Sequence, residues 1–264
     1  GDIRDRTAVD RAMAGADAVV HLAGRAGVRP SFQKTTLYCD VNVTGTAVLL
    51  QSAAEAGVPR FVFASSSSVY GDGADTPFRE DGGLGTPLSP YAATKLVGEH
   101  ICHTYRPRIA NIAALRLFSV YGPAQRPDLA IHKFAERISA GESIPVLGSL
   151  DSFRDYTFVD DIVAGIVAAL QTAEPWLVVN LGSGRPITLG DMIAGIETEL
   201  GLPATKDMLP PAEGDLFGTW ADVSRARDVL GYEPSTVFAD GVREFIRWFR
   251  DASPSAGLAI QPHG

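Results

Sequence analysis

Residues 61–71 read FVFASSSSVYG, and residues 89–95 read SPYAATK. The first stretch opens with a short apolar run and stops abruptly in four serines, as a buried strand does where it leaves the core. The second stretch begins a helical pattern that extends from Tyr91 to about Tyr105. A strand, a polar turn and a helix in this order are typical of a parallel sheet covered by helices.

The same alternation continues along the chain in both directions. It predicts an α/β fold with a doubly wound, Rossmann-like parallel sheet. In such sheets ligands bind at the carboxyl ends of the strands, so we expect the chemistry in the turns that follow them. The further predicted strands are 17–22, 112–118, 144–147 and 176–181. The further predicted helices are 8–14, 42–56, 131–140, 160–170, 189–200, 223–230 and 238–249.

Two stretches rich in Pro and Gly, 121–155 and 201–220, interrupt the alternation and predict a second, smaller lobe. We therefore expect two units and a tail. The Rossmann-like unit is predicted to hold residues 1–118 and 156–182, the smaller C-terminal substrate-binding lobe 119–155 and 183–250, and the tail 251–264.

Composition narrows the class of protein. The chain has 264 residues and a net charge of −8. Its apolar share of 45% is ordinary for a globular protein. The acidic balance and the lack of a Lys/Arg block argue against a nucleic-acid partner but leave room for a local cationic pocket. No apolar run approaches the roughly 18–20 residues of a membrane span. Two cysteines argue against a disulfide framework and favour a reducing, cytoplasmic compartment.

Tyr91 and Lys95 form the strongest candidate for catalysis. Their spacing of four places both side chains on one face of a helix. An ammonium beside a phenol stabilises the phenolate, so we expect Lys95 to lower the pKa of Tyr91 and make it a proton acceptor. A tyrosine and a lysine at this spacing also occur by chance, which leaves a purely structural interpretation open.

Two other motifs lie where strands end. Ser65–Gly71 places hydroxyls at the edge of the sheet, where they meet a ligand or merely form a solvated turn. His21–Gly24, HLAG, closes another strand with two small residues that let a ligand approach the backbone. For His21 itself the favoured interpretation is a packed structural residue.

Taken together and in order, the motifs resemble the extended short-chain dehydrogenase/reductases that modify nucleotide sugars. The resemblance covers nearly all of the chain. Within that family it is most similar to the UDP-glucuronate 4-epimerase group, through GVRPS at 27–31, ASSSSVYG at 64–71 and the segment 122–134. The other matching motifs are HLAG at 21–24, DVNVTGT at 40–46, SPYAATK at 89–95, LRLFSVYGP at 115–123, RDYTFVDD at 154–161, NLGSG at 180–184 and ADVSRARDVLGY at 221–232.

The resemblance implies NAD as the cofactor, bound by the first unit, and a nucleotide sugar as the substrate, with no metal. It implies that Tyr91 is the catalytic base and that Lys95 binds the nicotinamide ribose. It also implies that Ser66 forms a hydrogen bond with the sugar 4-oxygen and relays its proton. The remaining cofactor residues implied are Asp2, Ile3, Leu22, Ala23, Gly24, Asn42 and Phe118. The substrate residues implied are Ser67, Ser68, Ser119, Arg126, Arg154 and Asp215.

Purely structural interpretations of three of these residues stay open. Arg154 is alternatively a surface salt-bridge partner, Arg126 a solvated loop arginine, and Asp215 the cap of the following turn. Ala212 stands where relatives often carry Arg or Gln, so contacts with the nucleotide base or ribose are expected to differ here. Gly24 stands where they often have Ala, which close backbone approach tolerates.

The reaction expected from the resemblance is epimerisation. Members that eliminate water carry an Asp-Glu pair, and decarboxylating members a Glu, where this chain has Ser67 and Ser68. Hydroxyls are poor acids and bases at neutral pH, so we expect C4 of a UDP-hexuronate to be inverted through a 4-keto intermediate. The alternatives are a neutral hexose 4-epimerase, a UDP-glucuronate decarboxylase, and a nucleotide-sugar-binding protein without activity.

Two further expectations concern the whole protein. The family begins with a strand, a glycine-rich turn and a helix some tens of residues before Asp2. Either this sequence is a piece of a longer protein, which is the favoured expectation, or the protein is naturally short and lacks that first βαβ unit. Relatives are commonly dimers through the helices that follow Asn42 and Tyr91, so a homodimer is expected from the resemblance.

Overall fold

The computed structural model describes residues 1–211, 214 and 216–252. Its strands are β1 (Val19–His21), β2 (Arg60–Ser66), β3 (Asn111–Leu117), β4 (Ser119–Tyr121), β5 (Ile144–Leu147), β6 (Phe153–Phe158), β7 (Trp176–Leu181), β8 (Pro186–Thr188) and β9 (Lys206–Leu209). Its α-helices are α1 (Arg6–Met13), α2 (Val28–Gln33), α3 (Thr35–Tyr38), α4 (Gly45–Glu55), α5 (Pro90–Thr104), α6 (Ala130–Ser139), α7 (Val159–Gln171), α8 (Leu189–Leu200), α9 (Ser224–Leu230) and α10 (Phe238–Ala252).

The main sheet is parallel and holds its strands in the order β1, β2, β3, β7. Almost every residue of the two central strands is buried, which explains their continuous apolar runs. In the register, Ser65 of β2 lies opposite Arg116 of β3, and Arg116 lies opposite Asn180 of β7. The predicted α/β fold with a Rossmann-like parallel sheet is confirmed. In the described ranges, no helix has the length and apolarity needed to cross a bilayer.

Two small sheets accompany the main one. One holds β4, β6 and β8, and the other pairs β5 with β9. The sequence pattern predicts only β5 among these strands. β6 reads FRDYTF, in which polar residues interrupt the apolar ones, and β4 and β8 have three residues each. Such short or mixed runs carry too little hydrophobic periodicity to stand out.

The start of the helix predicted over 42–56 is wrong. The chain first forms α2 and α3, passes through a π-helical turn at Cys39–Thr44, and enters α4 only at Gly45. The absence of a side chain at Gly45 lets Ile3 pack against the beginning of α4. The turn and the short helices before it thus bring the N-terminal segment and the loop after β1 against the same part of the fold.

Apolar side chains form three clusters. Two lie on the main sheet, and Val62 and Phe61 of β2 belong to different ones, as expected for opposite sides of a strand. The third is built chiefly by β5, α6, α8 and α10. This third cluster contains residues from the lobe predicted over 119–155 and 183–250, but the boundaries of the two units stay a prediction. Residues 253–264 of the predicted tail lie outside the described residues.

Candidate active site

Helix α5 carries Tyr91 and Lys95 at its first turns. Ser89 caps the helix, accepting a hydrogen bond from the backbone N–H of Ala92 at 3.1 Å, and Pro90 occupies the first helical position. These signals fix where α5 begins. The predicted placement of both side chains on one helix is therefore confirmed.

The serine run forms a tight turn at the end of β2. Ser66 accepts a hydrogen bond from the backbone N–H of Ser68 at 3.2 Å, and its own hydroxyl donates to Ser68 Oγ at 3.1 Å. A 3-10 turn, Ser67–Tyr70, follows. Ser66 is therefore held by its own turn, with the hydroxyls of Ser67 and Ser68 half-buried beside it.

Tyr91 is a half-buried phenol. Burial is the largest influence and raises its pKa, while a hydrogen bond with the Ser66 side chain and the charge of Arg126 act in the opposite direction. The ring of Tyr38 packs edge-on against that of Tyr91, with centroids 6.3 Å apart. The structure therefore brings Tyr91 close to Ser66, and the roles that the resemblance implies for the two residues stay predictions.

The predicted effect of Lys95 on Tyr91 is wrong in this structure. The ammonium donates a hydrogen bond to the carbonyl oxygen of Ala64 at 2.7 Å and lies 5.1 Å from the centre of the Phe63 ring. Burial lowers the pKa of Lys95 to about 8. The lysine is thus turned toward the backbone of β2, and the pKa of Tyr91 is raised instead of lowered.

A cavity opens beside α5 and the serine turn. Arg154 lies in its wall and donates to the carbonyl oxygens of Phe153 at 2.8 Å and Phe217 at 3.1 Å, contacts that differ from the surface salt bridge considered above. Among the described residues, none of those lining the cavity has a carboxylate. The residues that line the cavity are Val28, Ser67, Ser68, Gly71, Leu88, Ser89, Ala92, Ser119, Arg154, Gly214, Leu216 and Thr219.

Arg126 lies outside the lining of this cavity. It is exposed and binds Asp128 through two parallel hydrogen bonds, from Nε at 2.8 Å and from Nη2 at 2.5 Å. Its charge nevertheless acts on both Tyr91 and Tyr38. Asp215, which the resemblance places near the nucleotide ribose, lies outside the described residues, as does Ala212.

The loop after β1 is held in place by Asn42. The side-chain amide of Asn42 accepts from the backbone N–H of Arg25 at 2.7 Å and donates to the carbonyl oxygen of Arg25 at 3.0 Å. It also donates to Thr94 Oγ1 at 3.0 Å. Asn42 therefore links the loop to α5, and this contact is the role that the structure gives it. Leu22, Ala23 and Gly24 are exposed in the same loop.

Three other predicted cofactor residues have partners within the chain. Asp2 is exposed and bound by the guanidinium of Arg4, which holds the pKa of Asp2 at about 2. Ile3 is half-buried against the cluster around α4. Phe118 is buried beneath the site and packs against Phe78.

His21 is packed, as the favoured interpretation holds. Its Nε2 lies 2.9 Å from Thr46 Oγ1, whose hydroxyl donates to the carbonyl oxygen of Asn42. Its ring contacts those of Phe61 and Phe63. Burial lowers the pKa of His21 to about 3, which keeps it neutral.

Sequence reasoning missed Tyr38. Its hydroxyl donates to the carbonyl oxygen of Ala26 at 2.9 Å, so it supports the loop after β1 while its ring contacts Tyr91. The available signal was its position four residues before Asn42, ahead of the predicted helix, and the side chains of both residues hold the loop after β1. That spacing alone does not distinguish it from an ordinary core tyrosine.

A parallel sheet, a helix that carries Tyr91 and Lys95, and a serine turn define an α/β protein with a cluster of hydroxyl and ammonium groups at the strand ends. Residues 1–182 match the model of the NAD dependent epimerase/dehydratase family. The chain belongs to this family.

Several of the relatives and solved structures that resemble this chain are described as UDP-glucuronate 4-epimerases. The chain is 39% identical over 236 residues to the UDP-glucuronate 4-epimerase of Thermodesulfobacterium geofontis, spanning 89% of this chain and 72% of that protein. It is 40% identical to UDP-glucuronate 4-epimerase 6 of Arabidopsis thaliana, over 88% of this chain and 54% of that protein. The UDP-glucuronic acid 4-epimerase of Bacillus cereus, solved with UDP-glucuronic acid and NAD, has a TM-score of 0.90 and 35% identity, over 96% of this chain and 81% of that chain.

Proposed function

We propose that the protein is an NAD-dependent 4-epimerase that converts UDP-glucuronate into UDP-galacturonate through a transient 4-keto intermediate. The observation that carries the proposal is the pair Ser67 and Ser68 in the cavity wall, where the resemblance places acids in eliminating and decarboxylating members. The relatives described as UDP-glucuronate 4-epimerases support it.

The residues at the carboxyl end of β1 fit NAD. Leu22 is 58% exposed and is followed by Ala23 and Gly24, which leave the backbone open to a flat ligand. A Cβ built at Gly24 would lie 3.8 Å from Lys95 Nζ, so the loop and the ammonium border one space. These residues would hold the cofactor, whose chemistry when bound is to accept a hydride from C4 and return it.

Tyr91 would accept the proton from the 4-hydroxyl and give it back when the hydroxyl is reformed. Burial alone opposes this step because it raises the pKa of Tyr91. Arg126 favours the phenolate by its charge, and Ser66 would do so by turning its hydroxyl from Ser68 to donate to Tyr91. We infer that Ser66 relays the proton between the sugar and Tyr91, and that Lys95 supports the cofactor ribose.

The carboxylate of the sugar would meet hydroxyls and guanidinium groups. A 4-keto uronate is a β-keto acid and readily loses CO2, so an epimerase must hold its carboxylate firmly. Ser67, Ser68 and Ser119 line the cavity together with Arg154. Arg126 would exchange Asp128 for the substrate, and Arg154 would clamp the diphosphate, a geometry that a guanidinium suits.

A neutral hexose 4-epimerase is the second candidate. MoeE5 has been solved with NAD in complex with UDP-glucose and also with UDP-glucuronic acid. This chain is 34% identical to MoeE5, with a TM-score of 0.90 over 96% of this chain and 85% of that chain. The cavity wall contains neutral hydroxyls as well as Arg154, which is compatible with either sugar.

Product analysis by NMR distinguishes the candidates. Incubation with UDP-glucuronate and NAD is expected to give UDP-galacturonate, and UDP-glucose offered separately is expected to react more slowly. A UDP-pentose product would instead indicate a decarboxylase, and no conversion of either sugar would indicate a binding protein. The Tyr91→Phe variant is the control: it should lose turnover and still bind UDP-glucuronate in a calorimeter.

Three further features belong to the same proposal. We propose that residues 1–118 and 156–182 bind the cofactor and that 119–155 and 183–250 bind the nucleotide sugar. The separate apolar cluster around α8 and α10 supports this division.

We propose a homodimer through α4 and α5, supported by the exposed Val97 on α5. Val97→Asp should then lower the mass measured by light scattering.

We also propose a cytoplasmic location, which the free thiols of Cys39 and Cys102 support.

A further inference from the structure

One face of α5 turns three ionisable side chains toward β2. Tyr91, Lys95 and Glu99 follow one another at intervals of four residues, which places them on the same side of the helix. Glu99 is only 5% exposed. It has no part in the proposed reaction, yet a buried carboxylate is costly unless it is paired. The partners of Glu99 therefore indicate its role.

Glu99 binds two neighbouring strands of the main sheet at once. Its Oε1 accepts hydrogen bonds from the Ser65 hydroxyl of β2 and, at 3.0 Å, from Arg116 Nε of β3. Its Oε2 accepts from Arg116 Nη2 at 2.9 Å. Ser65 directly precedes Ser66 in the chain. The carboxylate thus fastens α5 to β2 one residue away from the proposed proton relay.

Arg116 extends the same contact to the third strand. Its guanidinium lies 4.8 Å from the centre of the Tyr70 ring, and Tyr70 donates a hydrogen bond to Asn180 Oδ1 at 2.7 Å. Asn180 lies opposite Arg116 in the sheet, as Ser65 does on the other side. The polar row Ser65–Arg116–Asn180 therefore crosses three strands directly beneath the strand ends that form the site.

Helix α5 also lies unusually close to β2. A Cβ built at Gly98 would be 2.5 Å from the Phe63 ring, so only glycine fits at this contact. Apolar contact sets the distance between helix and strand but leaves the helix free to slide along its axis. A bidentate ion pair has a fixed geometry and removes that freedom.

We propose that Glu99 and Arg116 are positioning residues, whose buried ion pair sets the height of α5 on β2 so that Tyr91 meets Ser66. This inference rests on the proposed function, because the height matters for turnover only if Tyr91 and Ser66 act together. Glu99 and Arg116 do not touch the substrate in this assignment. They act through Ser65 and through the helix.

NMR of tyrosine labelled with 13C at Cζ tests the positioning without any turnover. The chain contains seven tyrosines, and the signal lost in Tyr91→Phe identifies Tyr91. Because each variant lets α5 move relative to Ser66, Glu99→Gln and Ser65→Ala should shift the Tyr91 signal in the direction that Ser66→Ala shifts it. In Ser66→Ala combined with Ser65→Ala, the second change should add little.

The matched control is Asp161→Asn. Asp161 is, like Glu99, a buried carboxylate; it lies in the first turn of α7 and accepts hydrogen bonds from the backbone N–H groups of Ser235 and Thr236. It should lower the unfolding temperature and leave the Tyr91 signal in place. Replacing both charges, in Glu99→Leu with Arg116→Met, leaves no unpaired charge and should keep the fold stable, while the Tyr91 signal still shifts.

Kinetics supply the second measurement. Misplacement by about 1 Å costs roughly 10²-fold in rate, so the double variant should lower kcat for UDP-glucuronate by about 10- to 100-fold and change KM less than about threefold. A folded double variant and a folded Ser65→Ala that both leave the Tyr91 signal unmoved would overturn the inference. If the unaltered protein epimerises no sugar while the signal shifts as expected, the proposed function fails and the positioning stands.

Discussion

Arg116 and Arg126 make the same contact in opposite surroundings. Each guanidinium donates two parallel hydrogen bonds to one carboxylate, Glu99 in the first case and Asp128 in the second. The side chains of the first pair are both 6% exposed, whereas those of the second are 48% and 60% exposed. Breaking a buried pair strands a charge away from water, and breaking an exposed pair does not. The first contact therefore suits a fixed scaffold and the second a partner that a substrate displaces.

The largest expected effect concerns the buried pair. Arg116→Ala should lower the free energy of unfolding by about 3–5 kcal/mol, because it leaves Glu99 buried and unpaired. Arg126→Ala should change it by less than about 1 kcal/mol. Urea titration of both variants measures the difference. Equal losses would mean that the surroundings of the two pairs do not decide their contribution.

Lys95 is a buried cation held by a carbonyl oxygen instead of a carboxylate. Its folded pKa of about 8 lies below the ordinary value of 10.5, so the unfolded chain binds the proton more tightly. The penalty is present in full below pH 8 and disappears as the pH rises toward 10.5. Relative to Lys95→Met, the unaltered protein should therefore gain stability over that window, by up to about 3 kcal/mol.

Urea titrations at pH 7, 8, 9 and 10 measure this trend. The exposed Lys133→Met variant is the matched control for removal of a lysine side chain. A stability difference between the unaltered protein and Lys95→Met that stays constant with pH would show that burial does not govern this ammonium.

Arg126→Ala tests the exposed pair in function. A charge-assisted contact contributes about 1.5–3 kcal/mol, so kcat/KM for UDP-glucuronate should fall by roughly 10- to 150-fold. The value for UDP-glucose, which has no carboxylate, should change much less. Steady-state assays with both sugars measure the ratio, and an equal loss for the two would remove Arg126 from carboxylate recognition.

The smallest effect concerns Asp128. Asp128→Asn keeps the shape of the side chain but removes the charge that competes for Arg126. An exposed pair is worth about 0.2–1 kcal/mol, so the dissociation constant for UDP-glucuronate should fall by about 1.4- to fivefold. Calorimetry measures it, with Asp151→Asn on another exposed turn as the control. Weaker binding would indicate that Asp128 orients Arg126 instead of competing with the substrate.

The main sheet and its helices could be predicted because their signals are local. The apolar run of β7 and the caps of α5 and α8 lie within the elements that they define. Strand β6 was not predicted because its apolar pattern is interrupted by Asp155, a fully buried carboxylate. Asp155 is stabilised by donors from Thr157, Ser183, Gly184 and Ala221, most of which lie far away in sequence.

Some features of the site were likewise predictable from local sequence, and others depend on contacts between distant residues. The sequence pattern indicated that the serine run follows a buried strand and that Tyr91 begins a helix, and the structure has both features. The pattern could not predict the direction of the pKa shift of Tyr91, since that direction depends on how deeply the fold buries the phenol. Nor could the spacing show that Lys95 turns toward Ala64, a contact between helix and strand that only the packed fold defines.

Asn42 gives the loop after β1 a thermodynamic property of its own. Its amide already holds both backbone groups of Arg25, so the loop loses its conformational entropy when the chain folds and not when a ligand arrives. Association with a pre-ordered surface avoids the cost of ordering it, and that saving appears mainly as slow dissociation. The proposed cofactor should therefore have a long residence time, which suits a cycle that returns its hydride every turn.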